Sequence, residues 1–311
     1  MLRKLWIPVA MIWFFAVGCG QSSQFSQLSG GYEDPKSTRY PIVLHHGFLG
    51  FDRIFVIDYF FGVRKALADS GYSVHATTVA PVNTIAFRAS QLAKQIDDIL
   101  EETGASKVNL IAHSMGGLDA RYLISSLGYG DKVASLTTIA TPHQGSLVAD
   151  VAYRITSADA RKLREAVEFI FLGPKNQRLG SDDIDVDSPV DINGALWNLS
   201  VEFLKEKFDA ANPDDPRVVY ESFAAHSKLM GRSETPRIQP LLLPFFVFLR
   251  AAAGENDGLV TIESAKHGTD RGLIEGDHMD VVGQLLGYSM QRFDHRAFYL
   301  NLVHSLKTRG F

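Results

Sequence analysis

Apolar and polar positions follow two rhythms along this chain, and they alternate. Ile42-Val43-Leu44 is a short continuous apolar run of the kind a buried strand carries. A helical pattern covers 58–68 and stops near Gly71, and 72–79 reads as a second strand. Leu92, Ile96, Ile99 and Leu100 mark one face of a helix ending at Gly104. Strands are expected at 108–112 and 133–140, with a helical pattern starting near Gly117 between them. This alternation predicts a mostly parallel sheet with helices on both faces. The rhythm breaks at Thr141-Pro142-His143-Gln144-Gly145-Ser146. From about 147 to 217 the pieces are helical, 161–172 among them, with an acidic loop at 181–191 and no clear strand. That stretch predicts a helical insertion over the carboxyl end of the sheet. Strand signals resume at 218–220 and near Leu273-Ile274, and a last helix covers about 294–307.

Two apolar runs fall outside this rhythm. Leu241-Leu242-Leu243-Pro244-Phe245-Phe246-Val247-Phe248-Leu249 is too short to span a bilayer and holds a proline. It reads either as a buried helix or as an apolar wall or flap beside a site. The other run opens the chain. Arg3-Lys4 is a short basic region, 5–17 is apolar, and Ala16-Val17-Gly18 precede Cys19. This end resembles a bacterial lipoprotein signal, in which cleavage leaves a lipidated cysteine at the mature N-terminus. Ala16 stands where such signals usually carry leucine. The alternatives are an ordinary secretory signal with an incidental cysteine, or an uncleaved anchor. Gly20 after the cysteine points to the outer membrane of a Gram-negative cell envelope; without lipidation the expectation is a secreted or periplasmic protein. The following segment is rich in Ser, Gln and Gly and reads as a flexible tether. The expected organisation is a signal at 1–18, a tether at 19–38, and one domain at 39–311 with a helical lid at about 147–217.

Bulk properties narrow the function. With 311 residues, 46% of them hydrophobic, the chain can build one large core. A formal net charge of −4 and no Lys/Arg block in the body argue against a nucleic-acid partner. Cys19 is the only cysteine, so no intrachain disulfide can form. The oligomeric state is not legible.

The chemistry centres on Ala112-His113-Ser114-Met115-Gly116, placed between a strand and a helix. A sharp strand-to-helix turn with small residues two before and two after the serine can expose its hydroxyl at the top of a sheet, because the two backbones nearly collide there. Serine is a poor nucleophile alone and needs a base, an acid that orients the base, and donors for the oxyanion. In such folds the order is Ser, then Asp or Glu, then His. His278 lies in Gly276-Asp277-His278-Met279-Asp280, a loop after a strand-like run, and is the leading base; His267 is the runner-up. Asp257, in the turn Asn256-Asp257-Gly258 before an apolar run, is the leading acid. The oxyanion hole should use the N–H of Met115 and that of Phe48, in the loop His45-His46-Gly47-Phe48-Leu49-Gly50 after the first strand.

These segments resemble the bacterial family I triacylglycerol lipases of the Pseudomonas and Burkholderia type, from about residue 40 to 310. The likeness rests on 40–44, 46–52, 58–62, the elbow 108–114, Pro142-His143-Gln144-Gly145-Ser146, Asn256-Asp257-Gly258-Leu259-Val260 and His278-Met279-Asp280. It implies an α/β-hydrolase fold, with a mostly parallel central sheet, helices on both faces and a mobile helical lid. It implies hydrolysis of lipid carboxylic esters through an acyl-enzyme, with Ser114 as nucleophile, Asp257 as acid and His278 as base, and no cofactor for the chemistry. Asp280 and Gln284 keep the spacing of two calcium ligands of that family, so the resemblance raises a structural Ca²⁺. From 227 to 256, however, the only acids are Glu234 and Glu255, and calcium wants several hard oxygens. The alternative is that Asp280 and Gln284 pin the histidine loop by hydrogen bonds. Other readings of the same triad are a phospholipase, a thioesterase or an acyltransferase. A surface-tethered lipid-binding protein without catalysis is the reading from another class.

Overall fold

The computed structural model describes residues 37–50, 53–54, 57–158, 190–229, 238–284, 287 and 293–311. The signal, Cys19 and all of the expected tether except residues 37–38 lie outside them, as do the helical piece expected at 161–172 and most of the acidic loop.

Among the described residues a six-stranded sheet forms the centre, in the order β4-β1-β5-β6-β7-β8, with every pairing parallel. Its strands are β1 (Ile42–His45), β4 (Val74–Thr77), β5 (Val108–His113), β6 (Val133–Ile139), β7 (Val219–His226) and β8 (Thr269–Glu275). A separate antiparallel pair, β2 (Arg53–Ile54) and β3 (Ile57–Asp58), follows β1. The central strands are apolar on both sides because both faces are covered. In β1, Ile42 and Leu44 enter one core while Val43 enters the other; in β5, Ile111 and Leu110 divide the same way. On one face lie α1 (Val63–Asp69) and the last helix, α9 (His295–Thr308), through Val63, Leu67, Tyr299 and Val303. On the other lie α2 (Ile85–Thr103) and α3 (Met115–Ser125), through Leu92, Ile96, Leu123 and Ile124. Each such buried Leu or Ile contributes about 1.5–3 kcal/mol of transfer free energy.

The topology places a crevice. From β1 the chain moves through α1 to β4 at the edge; from β5 it moves through α3 to β6 on the opposite side. β1 and β5 are neighbours, so the loops leaving their carboxyl ends diverge at a switch point, where open α/β sheets bind ligands. The loop 45–50 and Ser114 both stand there.

The rest of the architecture covers that end. Between β6 and β7 lie α4 (Leu147–Ala158), α5 (Ile192–Asn198), and a short helical run of α6 (Val201–Phe203), one π turn (Leu204–Phe208) and α7 (Asp209–Ala211). Ala149, Ile192, Ala195, Leu196, Leu204 and Phe208 pack on Met115 and Leu118 of the elbow helix.

Three expected elements differ in extent. The helix expected from residue 58 begins at Val63, because Asp58 ends β3 and Tyr59 and Phe60 turn into the core. The strand expected at 218–220 extends to His226. Its polar Glu221 and Ser222 hid it from the apolar pattern, yet both are buried, Glu221 in a bidentate pair with Arg309 at 2.5 and 2.8 Å. The apolar run 241–249 forms α8 (Leu243–Ala252), with Pro244 in its first turn, where a missing N–H is harmless. It is not a buried helix: Phe246 and Leu249 enter the core, but Leu241 is 71% exposed and Leu243, Phe245, Val247 and Phe248 are also open to solvent.

Candidate active site

Ser114 terminates β5 and caps α3 with φ 56° and ψ −132°. A side chain in that region is strained by about 1–3 kcal/mol. The surroundings hold it: its N–H donates to the Ile139 carbonyl at 3.0 Å and its own carbonyl accepts from Gly117 at 3.0 Å. A Cβ at Gly116 would lie 2.6 Å from the His46 carbonyl oxygen, and one at Gly117 would strike the Thr141 side chain. The crowding that demands small residues near the serine is therefore present, and Ala112 satisfies it with no exposed surface.

Three loops bring the chemical groups together. His278, after β8, points Nε2 at Ser114 Oγ, 2.9 Å away. Its Nδ1–H donates to Asp257 Oδ2 at 2.7 Å. Asp257 Oδ1 accepts from the N–H groups of Leu259 at 2.9 Å and Val260 at 2.7 Å, so both carboxylate oxygens are engaged. The base is also tied to the acid through the backbone, His278 N–H to Asp257 C=O at 2.9 Å. Asp257 is wholly buried, while His278 and Ser114 keep a sliver of exposure. With Nδ1 donating, the Nε2 lone pair faces the serine hydroxyl, the tautomer a general base needs. His267, the runner-up, is elsewhere: it stacks on His143 at 4.6 Å and bonds Asp214 at 2.9 Å.

The loop after β1 crosses directly over the serine. A Cβ at Gly47 would lie 2.7 Å from Ser114 Cβ and 3.2 Å from Oγ. The Gly47 carbonyl is turned away from the nucleophile and accepts from His46 Nδ1 at 2.9 Å, Gly50 N–H at 3.1 Å and Arg88 Nη2 at 3.2 Å. All peptides here are trans, and C=O and N–H point oppositely across a trans peptide. The Phe48 N–H is thus directed away from Arg88. Met115, which follows the serine, opens α3 and buries its side chain under the helical cover.

Several residues that support the site escaped the sequence reading. Arg88 is fully buried; its Nε and Nη2 lie 2.8 and 2.7 Å from Asp119 Oδ2, and it also donates to the carbonyls of Ala80 and His46. It binds α2, α3 and the loop over the serine into one unit. Its signal was available, since Arg88 occupies the apolar face of α2 among Ile85, Ala89 and Leu92. Tyr59 accepts the Gly47 N–H at 3.3 Å and donates to His113 Nδ1 at 2.7 Å. The His113 ring lies 4.6 Å from that of His278. Burial holds the imidazoles of His113 and His46 well below the ordinary histidine range, with the charge of Arg88 adding to the effect at His46. Both are neutral supports beside the base.

Asp280 and Gln284 stand just beyond His278. Asp280 is buried, and its Oδ2 accepts the Asp277 N–H at 3.3 Å. The Gln284 amide donates to the backbone carbonyl of Tyr59. Among the described residues no three His, Cys, Asp or Glu side chains converge as metal ligands. Among the described residues, one carboxylate beside an amide that donates to backbone falls short of the six to eight oxygens calcium takes. The hydrogen-bonding role weighed for this pair matches their geometry.

The family model of the alpha/beta hydrolase fold matches residues 40–180. The chain is 30% identical to the triacylglycerol lipase of Pseudomonas fragi over 293 residues, covering 89% of this chain and 99% of that protein. It is 28% identical to that of Burkholderia plantarii over 316 residues, 88% of this chain and 87% of the relative. In three dimensions it resembles the mature lipase of Bacillus licheniformis with a TM-score of 0.63 at 22% identity, across 89% of this chain and 95% of the other. On near full-length similarity of this kind, the chain belongs to the bacterial triacylglycerol lipases of the α/β-hydrolase superfamily and is a carboxylic ester hydrolase.

Proposed function

We propose that this protein hydrolyses lipid esters through an acyl-enzyme on Ser114. The observation that carries the reading is the unbroken line from Ser114 Oγ to His278 Nε2 to Asp257, at 2.9 and 2.7 Å. Ser114 Oγ attacks the ester carbonyl carbon while its proton passes to His278 Nε2. Asp257, anchored by two N–H groups, orients the imidazole and stabilises the imidazolium that forms. The N–H groups of Phe48 and Met115 receive the oxyanion, each such donor contributing about 3 kcal/mol at the transition state. Collapse expels the alcohol, protonated by His278. Water, deprotonated by the same imidazole, then attacks the acyl carbon and restores the serine. No cofactor takes part in these steps.

A lipid substrate, such as the triacylglycerol named for the relatives, is supported by the apolar surroundings. Phe48 and Leu49, which follow Gly47 in the loop over the serine, pack with the helical cover. Val151 and Ile155 of α4 are exposed, as is the apolar side of α8, and these two helices touch. The segment 147–217 acts as the lid in this reading. Residues 1–18 serve as a signal and 19–38 as a tether, with lipidated Cys19 holding the enzyme on a membrane surface of the envelope. That proposal rests on the basic and apolar runs before Cys19. Among the described residues no helix is long and apolar enough to cross a membrane.

Ser114→Ala should lower kcat on p-nitrophenyl esters by at least about a thousandfold; near wild-type turnover would overturn the nucleophile. A panel running from short soluble esters to emulsified triacylglycerol tests the substrate class, and a sharp preference for short soluble esters would overturn the lipid assignment. Mass spectrometry of the mature N-terminus tests Cys19: a diacylglyceryl cysteine is expected, and an unmodified or uncleaved one refutes the anchor.

A further inference from the structure

The loop that carries His278 is held by a carboxylate outside the proposed triad. Asp277 is fully buried and accepts three backbone N–H groups. Oδ1 takes those of Met279 at 3.0 Å and Asp280 at 2.9 Å. Oδ2 takes that of Gln239 at 2.8 Å. Asp280 answers from the far side of the histidine, its Oδ2 accepting the Asp277 N–H at 3.3 Å. The two residues thus form a reciprocal box of the capping-box type, Asp-x-x-Asp, closed around His278 and Met279. It starts the tight 3-10 turn Asp280–Val282, whose end is fixed in turn by Phe61 N–H on the Val282 carbonyl at 3.0 Å.

The arm to Gln239 does something different. Gln239 belongs to the segment that leads into α8, 38 positions away from Asp277 in the chain. One carboxylate therefore shapes the histidine loop from within and fastens it to a separate part of the molecule. A loop without such a fastening holds its side chain loosely, and a misplacement of about 1 Å at a reacting group costs about a hundredfold in rate.

We propose that Asp277 is a positioning residue for the base: its carboxylate clamps the His278 loop to the Gln239 segment and sets the Nε2–Ser114 Oγ alignment. The proposal rests on His278 being the base, as argued above. Two substitutions separate the arms. Asp277→Asn keeps an oxygen for Met279 and Asp280 but presents an NH₂ to Gln239. Asp277→Ala removes both arms.

The experiment measures kcat, KM and melting temperature for both variants on a p-nitrophenyl ester, beside Ser114→Ala and His278→Ala. For Asp277→Ala the expected result is a kcat about a hundredfold below wild type with KM within about twofold. Asp277→Asn should recover part of that loss and show the same split between kcat and KM. If Asp277→Ala fails to fold, Asp277→Asn decides alone: a folded protein with reduced kcat and unchanged KM supports the clamp, and wild-type kcat overturns it. A lowered melting temperature with wild-type kcat per folded protein also overturns it, since the role is then only stability. Full activity in His278→Ala would instead refute the triad reading, so the two failures are distinguishable.

Discussion

Gly47 offers the sharpest mechanical test of the loop over the nucleophile. It is not in the left-handed region, so space alone excludes a side chain there. A Cβ would stand 2.7 Å from Ser114 Cβ, 2.9 Å from the His113 carbonyl oxygen and 3.2 Å from Ser114 Oγ. Non-bonded carbons rest about 3.5–4.0 Å apart. The nearest obstacles are a Cβ and a backbone oxygen, which cannot rotate aside. In Gly47→Ala the loop must therefore retreat by about 1 Å, carrying the Phe48 N–H away from the serine. A displacement of that size costs about a hundredfold, and loss of the donor altogether costs about a hundred- to a thousandfold. The expected result is a fall of that order in kcat, with KM little changed because the oxyanion forms only in the transition state. Steady-state kinetics on a p-nitrophenyl ester, with a melting curve to establish folding, reads it. A folded Gly47→Ala enzyme with kcat within about threefold of wild type would refute the placement of the loop.

Arg88→Met should strand the Asp119 carboxylate in the core, since Arg88 and Asp119 are both fully buried. Breaking one side of such a pair costs about 3–5 kcal/mol, measurable by urea unfolding; a loss under about 1 kcal/mol would contradict the network. Stability should also depend on pH in a set direction. Burial holds His46, His113 and His143 well below the ordinary histidine value of about 6.5. The unfolded chain binds their protons and the folded chain does not, so their contribution is complete above about pH 6.5 and is lost as pH falls from there toward the depressed folded values. Melting temperatures taken from about pH 7.5 down to about pH 5 should fall; a flat or rising series would show that these imidazoles are not buried neutral.

The candidate site was more legible in the sequence than the elements that carry it. Ser114, Asp257 and His278, which the fold joins in one hydrogen-bonded line, were legible as candidates because each sits in a short segment where chemistry restricts the residue type and chain order suggests the role. Strand β7 was underestimated because Glu221 and Ser222 look like surface residues until Arg309, 88 positions away, supplies a partner. Arg88 was passed over for the same reason: a charge on an apolar helix face makes sense only once Asp119 and the carbonyls of the 45–50 loop surround it. The run 241–249 has too little polarity to reveal which side faces water, and its exposed side became visible only in the fold. Local constraints were legible; contacts between distant segments were not.

The central claim is that Ser114 is the group that becomes acylated. Its most direct test is labelling of the active enzyme with a fluorophosphonate, followed by peptide mass spectrometry, with ester turnover followed in parallel. The account predicts one adduct, on the peptide containing Ser114, and loss of turnover in proportion to labelling. Labelling at another residue, or undiminished turnover with Ser114 fully modified, would contradict it.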